Sequence, residues 1–170
     1  AEVLKKQKFE VILLTTAAGK KDPAFLPTCE NIQRSLKELL STVTKRDLIV
    51  VGLAGHGIQP LGSDNSYFCP LDGNPTTKGG KEKNDPNVAA APETLLSIDD
   101  LLENLQNSGV GQKLLLVDAC RNDPKVRGRR GVEQVRVQSL PSETGVLLSC
   151  SSGQYAFEHQ SWGKRGNGAF

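Results

Sequence analysis

Residues Lys113–Pro124 read KLLLVDACRNDP, and the fold class turns on this stretch. Leu114–Val117 is a short apolar run without in-out alternation, the pattern of a strand buried on both faces of a sheet. The run breaks into Asp118, Cys120, Arg121, Asn122, Asp123 and Pro124, charged and turn-forming residues that close a strand. A cysteine used only for packing belongs inside the apolar run, yet Cys120 stands at its tip.

Similar runs recur along the chain. FEVILL (Phe9–Leu14), LIVVGL (Leu48–Leu53) and GVLLSC (Gly145–Cys150) are expected as buried strands, and SYFCPL as a short one closed by Pro70. Between them lie helical patterns. Over Thr28–Val43, Ile32, Leu36, Leu39, Leu40 and Val43 fall at spacings of three and four, one apolar stripe on a helix. In SIDDLLENLQ, Ser97 and Asp100 form a capping box ahead of Leu101, Leu102 and Leu105. Alternating strands and helices predict an α/β class with an open, doubly wound, mostly parallel sheet covered on both faces. Reactive groups in such sheets gather at the carboxyl ends of the strands.

With 170 residues the chain is expected to be a single domain able to bury one core unaided. Its net charge of +2 gives no reason to expect nucleic acid or an anionic membrane as a partner. No apolar run reaches the length of a membrane span, and the first residues lack the pattern of a signal peptide. The four cysteines, Cys29, Cys69, Cys120 and Cys150, show no zinc-ligand spacing and read as free thiols of a reducing, cytoplasmic compartment. No metal and no cofactor are expected. The chain opens inside a helical pattern, AEVLKKQ, and ends at GNGAF, so a processed or excised part of a longer protein is expected.

Two stretches offer little to a core. Residues 73–94 are rich in Gly, Pro, Asn and Lys and read as a mobile insertion. Residues 125–141 carry Lys125, Arg127, Arg129, Arg130 and Arg136 against Glu133 alone, without a stable helical face.

His56, in the glycine-flanked AGHG, follows the run Leu48–Leu53 as Cys120 follows Leu114–Val117. If the two strands are parallel neighbours about 5 Å apart, imidazole and thiol meet above the sheet edge. An imidazole can take the thiol proton or stabilise the thiolate, and such a pair can attack a peptide carbonyl. Gly55 and Gly57 would let backbone approach a substrate, and the N–H groups of Gly57 and Cys120 are candidates for an oxyanion hole. Cys29, Cys69 and Cys150 read as packing residues, and His159, in a polar stretch, as a surface histidine.

LAGHG followed by LLLVDACRNDP resembles the catalytic His and Cys segments of caspase-like cysteine peptidases, the clan of caspases, metacaspases and bacterial orthocaspases. YFCPLDG, LLSIDDLLENL and GVLLSCSSGQYAFE resemble further family segments in the right order. Asp118-Ala119-Cys120-Arg121-Asn122 departs from the caspase form Q-A-C-[RQG]-G and is closer to the bacterial and metacaspase branch. The resemblance implies a three-layer caspase-hemoglobinase fold with a six-stranded, mostly parallel sheet. It also implies that the family's first strand, ahead of the helix ending near Gln7, and its C-terminal helices are missing here. That strand is expected from the parent chain or as a separate, non-covalently bound fragment of the same precursor.

In metacaspases the Asp two residues before the catalytic Cys lines the P1 pocket and selects Arg or Lys; Asp118 holds that position. A carboxylate on the floor of a small pocket favours a cationic guest and penalises an anionic one. Gln154 and Glu158 match a stretch carrying further pocket residues, whereas Ser152 stands where an Asp is common. The expected function is therefore a cysteine endopeptidase cutting proteins or peptides after Arg or Lys. For Asp118 the alternative is that it caps a loop or pairs with Arg121.

The family's intersubunit linker commonly follows the catalytic strand, which makes Arg127, Arg129 and Arg130 candidate self-cleavage sites; a solvated charged loop is the alternative. Lys78, Lys81 and Lys83 are a second, weaker set. Calcium dependence occurs among metacaspases, but Asp99 and Asp100 fit helix capping and no EF-hand-like loop is present. The competing function is an inactive caspase-like adaptor or assembly module.

Overall fold

A computed structural model of the chain describes residues 1–58, 65–74, 94–119 and 143–149, with the backbone of 158–159 and 167–168. Its centre is a five-stranded mixed sheet with helices packed against it, an α/β architecture. In chain order the strands are β1 (Leu48–Ile58), β2 (Tyr67–Cys69), β3 (Leu96–Ser97), β4 (Gln112–Ala119) and β5 (Thr144–Leu148), arranged β3-β2-β1-β4-β5. β1, β4 and β5 are parallel, whereas β2 and β3 pair antiparallel at one side. Two further short strands, β6 (Glu158–His159) and β7 (Asn167–Gly168), pair with each other.

Local chemistry sets the helix ends. α3 (Cys29–Thr42) begins at Thr28, whose hydroxyl accepts from the Asn31 N–H at 3.3 Å. Asp72 adds a carboxylate at this positive end, accepting from the Cys29 N–H at 2.8 Å. That bond ties the segment after β2 to α3. α4 (Ile98–Asn107) starts at Ser97, whose hydroxyl accepts from the Asp100 N–H at 3.1 Å. Beyond it Gly109 takes a φ of 70°, a left-handed value that glycine adopts without a side-chain clash. α1 (Glu2–Lys6) and α2 (Thr16–Gly19) are single turns or little more.

The core joins sheet to helices. Leu101 and Leu105, four apart on one face of α4, are fully buried in a cluster with Ile49, Leu53, Leu115 and Val117; Ile32 and Leu36 of α3 pack against it. Within β4, Lys113, Leu115, Val117 and Ala119 are buried while Leu114, Leu116 and Asp118 are half-buried. One sheet face is thus more covered than the other, where the sequence pattern predicts equal burial. Lys113 is buried despite its charge, its ammonium donating to the Val110 carbonyl at 2.8 Å. Because Leu105 has no exposed surface, Leu105→Ala is expected to cost about 3 kcal/mol by lost burial and a residual cavity. Urea unfolding with an unchanged m-value would measure it.

Two differences from the sequence expectation matter for the site. β1 does not stop at Leu53 but continues through His56 to Ile58, changing partner on the way. Residues 9–14, expected as a strand, form none, and Ile12 and Leu13 are 39% and 45% exposed. Phe9 donates to Leu4 and Thr15 to Phe25, but residues 10–14 have no backbone hydrogen-bond partner among the described residues. A strand is defined by its neighbour, and among the described residues none pairs with this segment.

The expected insertion is closed at its base. The Asn74 N–H donates to the Thr94 hydroxyl at 2.9 Å, so the ends of the stretch meet. Residues 75–93, the expected linker 125–141 and the lysine and arginine candidates within them lie outside the described residues.

Candidate active site

The β1–β4 ladder carries the geometry. It runs in parallel register from Leu48↔Gln112 to Ala54↔Asp118 and Gly55↔Ala119. At the next residue β1 takes up β2 on its other edge, with His56↔Cys69, Gly57↔Phe68 and Ile58↔Tyr67. His56 thus stands where, among the described residues, the pairing with β4 ends and that with β2 begins.

Side chains alternate across a sheet, so His56 shares a face with Ala54, and Ala54 with its register partner Asp118. His56 and Asp118 are then two residues along and one strand across, a Cα separation of about 8 Å from standard strand spacings. His56 is exposed, Asp118 half-buried and Gly57 buried. An accessible imidazole and a carboxylate therefore share one rim, an arrangement able to hold a cationic group and move a proton beside it.

Gly55 serves packing here. A Cβ on it would lie 3.2 and 3.3 Å from Cε2 and Cζ of the buried Phe68 ring. Its lack of a side chain lets Phe68 close over the strand, a reason other than the substrate approach expected from AGHG.

Cys69, expected only to pack, is the cross-strand register partner of His56 and half-buried. Directly opposed residues carry Cβ atoms roughly 5 Å apart, so a second thiol neighbours the imidazole. Burial pushes the Cys69 thiol up, and burial with the adjacent Asp72 charge does the same for Cys29. Both stay protonated, and poor nucleophiles, at neutral pH. Nothing in the local spacing around Cys69 signals its pairing, which is made by the chain reversal between β1 and β2.

His56 and Cys69 also line one end of a cavity of about 910 Å³ that extends along β1 toward Val50 and is walled by residues 12–16 and α3. Of the other expected site residues, Cys120, Gln154, Arg127, Arg129 and Arg130 lie outside the described residues, as does Cys150. Glu158 and His159 form β6, described by backbone alone. Among the described residues no three His, Cys, Asp or Glu side chains group to hold a metal ion. No described helix is long and apolar enough to cross a membrane.

Among known families, the model of the caspase domain, a peptidase family, matches residues 1–170. No curated protein matches the chain.

Proposed function

Because the chain belongs to the caspase-domain family of cysteine peptidases, whose substrates are proteins, we propose that it is an endopeptidase in which Cys120 is the nucleophile, His56 its proton partner and Asp118 the selector of Arg or Lys at P1. The observation carrying this reading is the β1–β4 register. It ends at Gly55↔Ala119, one residue short of both His56 and Cys120. In the proposed arrangement one further step of the same ladder would set the Cys120 thiol beside the His56 imidazole.

Gly57 supports the oxyanion role by its direction. Gln112 N–H donates to the Asp47 carbonyl at 3.2 Å, so Asp47 turns its peptide groups toward β4. Alternate residues of a strand turn theirs to the same side. By that alternation Gly57 directs its N–H to the β4 side, past the last ladder pair.

In the proposed reaction the Cys120 thiolate adds to the scissile carbonyl, and the N–H groups of Gly57 and Cys120 hold the oxyanion. His56 then gives its proton to the leaving amine, and on hydrolysis of the acyl-enzyme accepts one from water. The Asp118 carboxylate, on the same face as His56, pairs with a P1 guanidinium or ammonium. Gln154 and Glu158 complete the pocket in this reading, and Arg127, Arg129 and Arg130 offer basic P1 residues for self-processing.

The test is hydrolysis of two fluorogenic peptides, identical but for Arg or Asp at P1, by the full-length protein. Cleavage of the Arg peptide alone is expected. Cleavage of the Asp peptide would overturn the pocket assignment, and cleavage of neither by folded protein would favour the adaptor.

A further inference from the structure

A row of residues crosses the carboxyl ends of three parallel strands. Ala54 of β1 and Asp118 of β4 are register partners, and β5 continues the row. The β4–β5 ladder runs to Val117↔Leu148, and the Ser149 N–H then donates to the Val117 carbonyl at 3.0 Å. In a parallel ladder that bond places Ser149 opposite Asp118, about 4.8 Å away and on the face that Asp118 shares with His56.

The Ser149 hydroxyl breaks the rules that build a stable sheet. Its oxygen is buried and has no hydrogen-bond partner among the described residues. The Asp118 carboxylate stands one strand away, yet the hydroxyl does not donate to it. Leu147, two residues back on the same face, is 53% exposed. Polarity and burial are thus inverted along β5: a leucine meets solvent and a hydroxyl is withdrawn from it. Burying a hydroxyl without a partner costs free energy. Kept beside a carboxylate at the end of a strand, such a conflict marks a binding position rather than a packing solution.

The two side chains also define what they can hold. An ionised carboxylate only accepts hydrogen bonds, and the unpaired hydroxyl offers lone pairs beside it. A guest carboxylate or carbonyl would meet like charge, and an apolar guest would leave both groups unpaired. A guanidinium or an ammonium carries several donors and no acceptor. Two hydrogen bonds of about 2.9 Å meeting at such a group span acceptors about one strand spacing apart. We propose that Ser149 is a specificity-determining residue of the P1 pocket, its hydroxyl accepting a hydrogen bond from the same side-chain cation that pairs with Asp118. This rests on Asp118 being the P1 selector, and it gives the pocket a second polar wall from β5.

The test reads binding instead of hydrolysis, so that it stands apart from the role of Cys120. Titration calorimetry is run on the full-length protein and on Ser149→Ala with two peptide amides, identical but for a last residue of Arg or of uncharged norleucine. The unsubstituted protein is expected to prefer the Arg peptide. Ser149→Ala should weaken the Arg peptide about tenfold, the scale of a hydrogen bond to a charged group, and leave the norleucine peptide unchanged. Its melting temperature without peptide should hold or rise, since the hydroxyl removed is bonded to nothing among the described residues. Arg binding that is unchanged in the variant would overturn the role of Ser149 while leaving Asp118 as selector. Equal weakening of both peptides, or a melting temperature lower by several degrees, would assign the hydroxyl to structure and overturn it too. No preference for Arg in the unsubstituted protein would instead remove Asp118 as selector, and the role of Ser149 with it.

Discussion

Cys120→Ala is expected to lower kcat/KM toward an Arg-P1 peptide by at least about 10⁴-fold, the scale on which losing a covalent nucleophile is felt. The residual rate comes from binding and from the oxyanion donors that remain. His56→Ala is expected to cost about 10³-fold at neutral pH, because general acid–base help is lost and the thiol must ionise unaided. An unassisted thiol titrates near 8.5, so the variant's rate should climb with pH through that region as the thiolate fraction rises. On the proposed role, in which the imidazole supports the thiolate, the unsubstituted protein should show no such climb. Steady-state kinetics between pH 6 and pH 9 on both variants measure this. Activity surviving within tenfold in Cys120→Ala would remove Cys120 from the chemistry.

Asp118→Asn keeps the size of the side chain and removes its charge. On the proposed role the Arg-P1 peptide loses about 10²-fold in kcat/KM, since a half-buried carboxylate paired with a guest cation contributes a few kcal/mol to its recognition. A peptide with neutral P1 should lose little. If Asp118 instead braces a loop, both peptides fall together and the melting temperature falls with them. The ratio of the two rates, set beside a thermal melt, separates pocket from brace.

The parts of the fold written in local chemistry were legible. The stripe on α3, the Ser97–Asp100 box of α4 and the apolar runs of β1 and β4 each carry their own signal, and all four elements form, β1 running on past its expected end at Leu53 to Ile58. FEVILL carries as strong a strand signal as β1, yet residues 9–14 form no strand. Apolar β-branched sequence states what a segment can do, and hydrogen-bonding neighbours decide whether it does.

At the site, the glycine-flanked motif singles out His56 and the family resemblance singles out Asp118 as candidates, and the register puts the two on one face of the sheet. Three features were not legible. β1 running on through His56, Cys69 facing that histidine and Asp72 capping α3 all depend on the chain reversal that brings residues 65–74 back against β1. Such pairings join residues distant in sequence and leave no periodic trace.

The central claim is that His56 activates Cys120 as the nucleophile. Its most direct measurement is labelling of the full-length protein at neutral pH with an arginine-based electrophilic probe, followed by digestion and mass mapping. The account predicts one adduct, at Cys120, slowed at least about 100-fold in His56→Ala. Cys29 and Cys69 should remain unmodified, since burial holds their thiols protonated. An adduct at Cys69, or labelling of Cys120 at the same rate without His56, would contradict the account.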